Sequence, residues 1–301
     1  MFHNRENPGK IPLRQHALLV KSPDRKAFNV NSMEAPVNMT PNPGGQTPAL
    51  EPIAMVSLDA GRMLMEAGAS ARSVKSIVET FALGLGSERV DLRIGYASLA
   101  ITVGVGEPGI TRMRQVGPLG VNQRLDHELW KLAARVSQRK LTPAETRMEL
   151  TRLATKTPRH SPLVTSVAVG LACAAFGRLL KVDWLGVGPV FMAATIGQFV
   201  RIQLVRQHVN HFICATLVAF LSSFLGGLGA HWAHSESIPT AMIAAILLLV
   251  PGVPAVNSQD DILEGHPTLG SARAVTVAMT LIFVAAGLWI GQALLNYLRC
   301  N

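Results

Sequence analysis

The chain has 301 residues, of which 49% are hydrophobic and only 16% charged, with a mean hydropathy of +0.29 and a net charge of +9. The charge is unevenly placed: residues 1–162 carry 22 Lys and Arg against 14 Asp and Glu, and residues 163–301 carry 6 against 5. This asymmetry excludes a uniform soluble globule, and the long apolar runs of the second half exclude a disordered chain. Three cysteines, two of them inside apolar runs, make neither a disulfide framework nor a metal set.

Residues 1–52 hold eight prolines and six Lys or Arg with no apolar period, and are expected to be a disordered, basic, Pro-rich tail. A folded α+β domain is expected over 53–156. Ile53, Val56, Met63 and Leu64 mark a first helix that stops at Gly68; a second opens at Ser70 and closes at Gly84 and Gly86. The period then changes to two. Val90, Leu92 and Ile94 define one strand, and Leu99, Ile101 and Val103 a second. A third follows over 110–116, with Arg112 and Arg114 expected on its wet face. Asn122 caps a third helix, and Thr142-Pro143-Ala144-Glu145 has the spacing of a capping box that opens a fourth.

From Leu163 onward five segments approach the roughly 20 apolar residues that a membrane-spanning helix needs. They cover about 163–180, 184–204, 212–232, 238–257 and 272–296. The expected fold is therefore an α-helical integral membrane protein of five transmembrane helices, 163–296, with an N-terminal cytoplasmic α+β domain and membrane lipid as its surroundings. Arg152, Lys156, Arg159, Arg201, Arg206 and Arg273 collect on one side of the five spans, which puts the α+β domain in the cytoplasm.

The fourth span carries the chemistry. It runs into Pro251-Gly252-Val253-Pro254, where two prolines remove backbone donors. Such a break serves either as a packing kink or as an ion- or carboxylate-binding interruption. Asn257, Asp260, Asp261, Glu264 and His266 follow within 16 residues of Pro251, in a half otherwise almost free of ionisable groups. They form either a surface loop or, as we expect, a set in which Asp260, Asp261, Glu264 and His266 move protons or gate and Asn257 orients substrate. Arg201 is expected to snorkel to the headgroups, and Gly287 and Gly291 to mark close helix packing. No catalytic residue, metal site, cofactor loop or nucleic-acid-binding pattern is present in the sequence, so no enzyme is expected.

LMEAGASARSVKSIVETFALGLG, VDLRIGYASLAITVGV and IPTAMIAAILLLVPGVPAVNSQDDILEGHPTLGSAR together resemble the N-terminal half of the threonine/serine exporter family. Within it they come nearest to the large subunits of two-component bacterial succinate exporters. The resemblance covers about 53–296. It implies a cytoplasmic domain joined to five spans that export a small carboxylate-bearing metabolite, threonine/serine or a dicarboxylate; our own expectation adds an oligomer in the bacterial inner membrane and coupling to the proton gradient. It also implies a separate small membrane subunit that supplies the second half. It adds weight to Pro251, Gly252, Pro254, Asn257, Asp260 and His266. The competing expectation is a membrane-tethered regulator whose α+β module senses a ligand.

Overall fold

The computed structural model describes residues 50–106, 109–156 and 161–300. The expected tail therefore lies, up to residue 49, outside the described residues. Its last three positions, Leu50 to Pro52, belong to the first helix, where a proline is tolerated because first-turn amides have no intrahelical acceptor.

Helix α1 (Leu50–Glu66) buries Ile53, Val56, Ala60 and Leu64 on one face. It ends where Gly68 takes φ +95°, a conformation that needs no side chain, and Ala69 N returns a hydrogen bond to Leu64 O at 3.3 Å. Helix α2 (Ala71–Gly84) packs against it through Val74, Ile77, Val78 and Phe81, all fully buried. Strands β1 (Arg89–Ile94), β2 (Ser98–Gly104) and β3 (Ile110–Gln115) form an antiparallel sheet in that order, with Leu92 opposite Ile101 and Ile101 opposite Arg112. Leu99, Ile101 and Val103 point into the core beneath α1 and α2.

The third strand departs from the expected wet face. Arg112 and Arg114 turn towards α1, where Arg112 pairs with Glu51 and Arg114 Nε lies 3.2 Å from Asp59 Oδ1, while Met113 is 69% exposed. The α1 carboxylates, invisible in the strand's own alternation, decide which side the arginines take. The Arg112 guanidinium holds the Glu51 carboxyl below its ordinary range. Helix α3 (Gln123–Ser137) is capped by Asn122, whose side-chain oxygen accepts from Leu125 N at 3.1 Å. At α4 (Pro143–Lys156) both halves of the capping box form: Thr142 N donates to Glu145 Oε2 at 2.8 Å, and Glu145 N to Thr142 Oγ1 at 3.3 Å.

Among the described residues four helices are long and apolar enough to cross a membrane: α5 (Pro162–Leu179), α6 (Trp184–Arg206), α7 (His211–Trp232) and α10 (Pro267–Cys300). A fifth candidate is broken, α8 (Ile238–Ile246) continued by a 3-10 turn and then α9 (Gly252–Leu263), which pass the same test only as a pair. Much apolar surface faces outward, including Leu163, Phe176, Ile282 and Trp289, as lipid requires. At the end of the bundle far from the sheet, the Asp183 carboxylate before α6 accepts from Ser235 and Ser237 between α7 and α8. These hydroxyls hold it below the ordinary carboxylate range.

Glycines set the closest helix approach. A Cβ at Gly287 would stand 2.4 Å from the Thr216 carbonyl oxygen, and one at Gly291 would stand 2.4 Å from Ser223 Oγ, so α10 rests directly on α7. Gly188 on α6 has open space at the same position. Gly287→Ala should therefore lower the melting temperature in detergent, with a cost of about 1–3 kcal/mol for overpacking against backbone. Gly188→Ala should leave it unchanged or raise it, and equal melting of the two would contradict this packing.

Candidate functional site: a cavity at the broken fourth span

The α8 helix tightens into the 3-10 turn Leu247–Leu249, Val250 is extended, and α9 departs at 62° to the first segment. The cause is local. Pro251 and Pro254 bring no N–H to the ladder. Gly252 N turns back to Val250 O at 2.9 Å around Pro251 at φ −81°, ψ 62°, an inverse γ-turn. Among the described residues the carbonyls of Leu248 and Leu249 consequently receive no backbone amide across the break. Polar backbone of this kind is tolerated at membrane depth only beside protein or a wet cavity.

What holds α9 at its angle is a clasp to the turn between α1 and α2. Asp261 is fully buried; its Oδ1 accepts from Ala71 N at 2.8 Å and its Oδ2 from Arg273 Nη1 at 2.6 Å. The carboxylate thus sits at the positive end of α2 and against a guanidinium, two environments that favour its charge. Arg273 Nη2 donates onward to Ala69 O at 3.0 Å, and Asn257 Nδ2 donates to Gly68 O at 2.7 Å. At the rim Arg72 Nε lies 2.7 Å from Glu264 Oε1. A Cβ at Gly270 would lie 2.7 Å from Ser258 O, so α10 doubles back tightly on α9. Leu269, at the start of α10, is buried in the core that α1, α2 and the sheet share.

Between this clasp and the bundle lies a cavity of about 790 Å³. Its wall runs from Leu248 to Pro254 along the break. Met65, Gly68, Tyr96 and the Pro118–Val121 loop close the sheet side, and Arg201, His211, Cys214, Thr276 and Thr280 close the bundle side. No Asp or Glu lines it among the described residues. The two arginines differ in kind. Arg273 is spent on Asp261 and Ala69, whereas Arg201 is partly buried and makes no hydrogen bond or ion pair with any described residue. An unpaired guanidinium on a largely apolar wall is suited to a carboxylate, which it can meet with two parallel hydrogen bonds.

Of the residues singled out from sequence, Pro251, Gly252, Pro254 and Asn257 line the cavity. Asp260, Asp261, Glu264 and His266 do not: Asp261 is in the clasp, Glu264 pairs with Arg72, Asp260 lies further along α9 than the lining residues, and His266 is beyond its end. Arg201, His211, Arg273 and Tyr96 were not expected here. A signal for Arg201 existed, since five helical residues follow it to Arg206 and a snorkelling cation belongs at the very end of its span. Arg273 gave none, because its partner is defined only by the fold.

Several apolar helices around a cavity at a broken helix are an arrangement that membrane transporters use. A family model described as "Putative threonine/serine exporter" (ThrE) matches residues 55–295. The chain belongs to this family. It is 26% identical over 238 residues to the "Probable succinate transporter subunit YjjP" of Escherichia coli K12, covering 78% of this chain and 92% of that protein. Its similarity to the protein of the same description from Klebsiella aerogenes is 27% over 220 residues, 72% of this chain and 84% of that one. No solved structure matches.

Removing one partner of a buried pair leaves the other charge unanswered, so Asp261→Ala should destabilise by about 3–5 kcal/mol. Asp261→Ala combined with Arg273→Met should recover part of that loss, read as thermal melting of the purified chain. A double variant that melts below the single one would show that Asp261 and Arg273 do not act as a pair.

Proposed function

We propose that the protein is the large subunit of an exporter of small dicarboxylates in the bacterial inner membrane. The α1–α4 module with its sheet faces the cytoplasm, and a small membrane subunit supplies the rest of the path. The reading is carried by one observation: Arg201, without an ion-pair partner among the described residues, on the wall of a cavity that no described Asp or Glu lines. One substrate carboxylate pairs with Arg201. The other lies towards Val253 N in the first turn of α9, Gly252 N and Ala255 N being bonded to Val250 O and Pro251 O and Pro254 having no N–H. An amino acid fits less well. Its ammonium group would meet only the partial charges of the Leu248 and Leu249 carbonyls, not a carboxylate. The names of the two relatives, both succinate transporter subunits, support the same preference.

Pro251, Gly252 and Pro254 shape the wall in this reading, and Asn257 holds the wall to Gly68 while facing the substrate. Asp261 and Glu264 gate by fixing α9 to the cytoplasmic module; opening the cavity means loosening that clasp. Coupling to protons we assign to His211, which lines the cavity and has the side-chain type that titrates nearest neutral pH. Asp260 and His266, outside the cavity, serve at most the rim.

The test is equilibrium binding of labelled succinate to the purified chain in detergent. A charge-assisted hydrogen bond contributes about 1.5–3 kcal/mol, so Arg201→Gln should weaken binding about tenfold or more. Threonine should compete poorly. Succinate binding unchanged by Arg201→Gln, or threonine competing as well as succinate, would overturn the assignment.

A further inference from the structure

Two buried polar groups in the spans have no hydrogen-bond partner among the described residues: Gln198 Oε1 on α6 and Ser222 Oγ on α7. Gln198 is 9% exposed and Ser222 fully buried. In hydrocarbon surroundings such groups are costly, and buried groups without a partner mark a place where something else is bound. Ser222 is unlike its neighbours. Ser166, Thr195, Thr216, Ser223 and Thr280 each return their hydroxyl to a carbonyl of their own helix. Ser222 faces α6 instead, its Oγ lying 1.9 Å from where a Cβ at Gly197 would stand, next to Gln198 in the chain.

The two groups continue the line that begins at Arg201. Gln198 precedes Arg201 by three residues, so the two share a helix face and are separated by about 4.5 Å along the axis. The shift is away from the α+β module, since the Arg201 end of α6 is the end that lines the cavity beside that module. Ser222 stands midway along the 22 residues of α7. Polar side chains therefore descend from the cavity towards the middle of the bundle along the seam of α6 and α7.

We propose that Gln198 and Ser222 form a second station for the substrate's carboxyl group, one turn deeper than Arg201, which the substrate occupies on its way across. This rests on the carboxylate reading of the cavity. The Ser222 hydroxyl and the Gln198 amide N–H donate to the carboxyl oxygens. Gln198 Oε1 can be answered only by a donor, which on this substrate is the O–H of the protonated acid. With no formal charge on either side chain, the station favours the protonated carboxyl over the carboxylate, whereas Arg201 favours the reverse.

Ser222→Ala and Gln198→Leu test it. Each removes a polar group without breaking any hydrogen bond to the protein, so melting temperature should hold or rise. The readout is efflux from membrane vesicles of the native host, loaded with labelled succinate and carrying each variant in place of the wild-type chain. Efflux should fall about tenfold, the loss of roughly one hydrogen bond to the passing substrate, while succinate binding to the purified chain stays within about twofold of wild type. Variants that release succinate at the wild-type rate, or whose melting falls together with efflux, would overturn the station. Vesicles lacking the chain that release succinate as fast as wild type would overturn the exporter reading itself, and the station with it.

Discussion

The arrangement depends on a single buried carboxylate. Asp261 joins three pieces of chain far apart in sequence: the start of α2 through Ala71 N, the start of α10 through Arg273, and its own helix α9. Burying a charge is expensive unless it is fully paired, and here both oxygens are used. The prolines break the helix, and this pairing holds α9 at 62° to α8, so that the break faces a cavity and not a packed helix. The same contacts tie the module of α1–α4 to the spans.

Two arginines with opposite fates give the cavity its charge. Arg273 carries a positive charge into the protein and has it cancelled by Asp261; it also ties Ala69, so its role is to hold the wall. Arg201 lines the same space and is left uncancelled. A protein that only anchored a sensing module would have no physical reason to keep an unpaired guanidinium more than a turn inside a spanning helix, since its desolvation is offset by nothing the structure shows. In the proposed reading a transported anion would supply the offset, and only transiently, which is what release requires.

The fold was largely legible in the residues. The span limits, the Gly68 and Gly86 stops, the Asn122 cap and the Thr142–Glu145 box all follow from local chemistry, and the structure places them within a few residues. The site was half legible. Two prolines three residues apart around a glycine announce a break, and Pro251, Gly252 and Pro254 fall on the cavity. A cluster of acids, by contrast, says only that charge is present. Whether Asp261 meets substrate or an arginine twelve residues later depends on the turn between α9 and α10, where Gly265 adopts φ +84° and sends the chain back. The same limit applies to β3, whose arginines follow acids on α1 that no period of the strand reveals.

The most direct test is a structure of the chain in lipid nanodiscs with succinate. The account predicts an anion in the cavity with its carboxylate within hydrogen-bond reach of the Arg201 guanidinium, and Asp261 still bound to Arg273. A lipid tail filling the space beside Pro251, with Arg201 turned out to the headgroups, would contradict it.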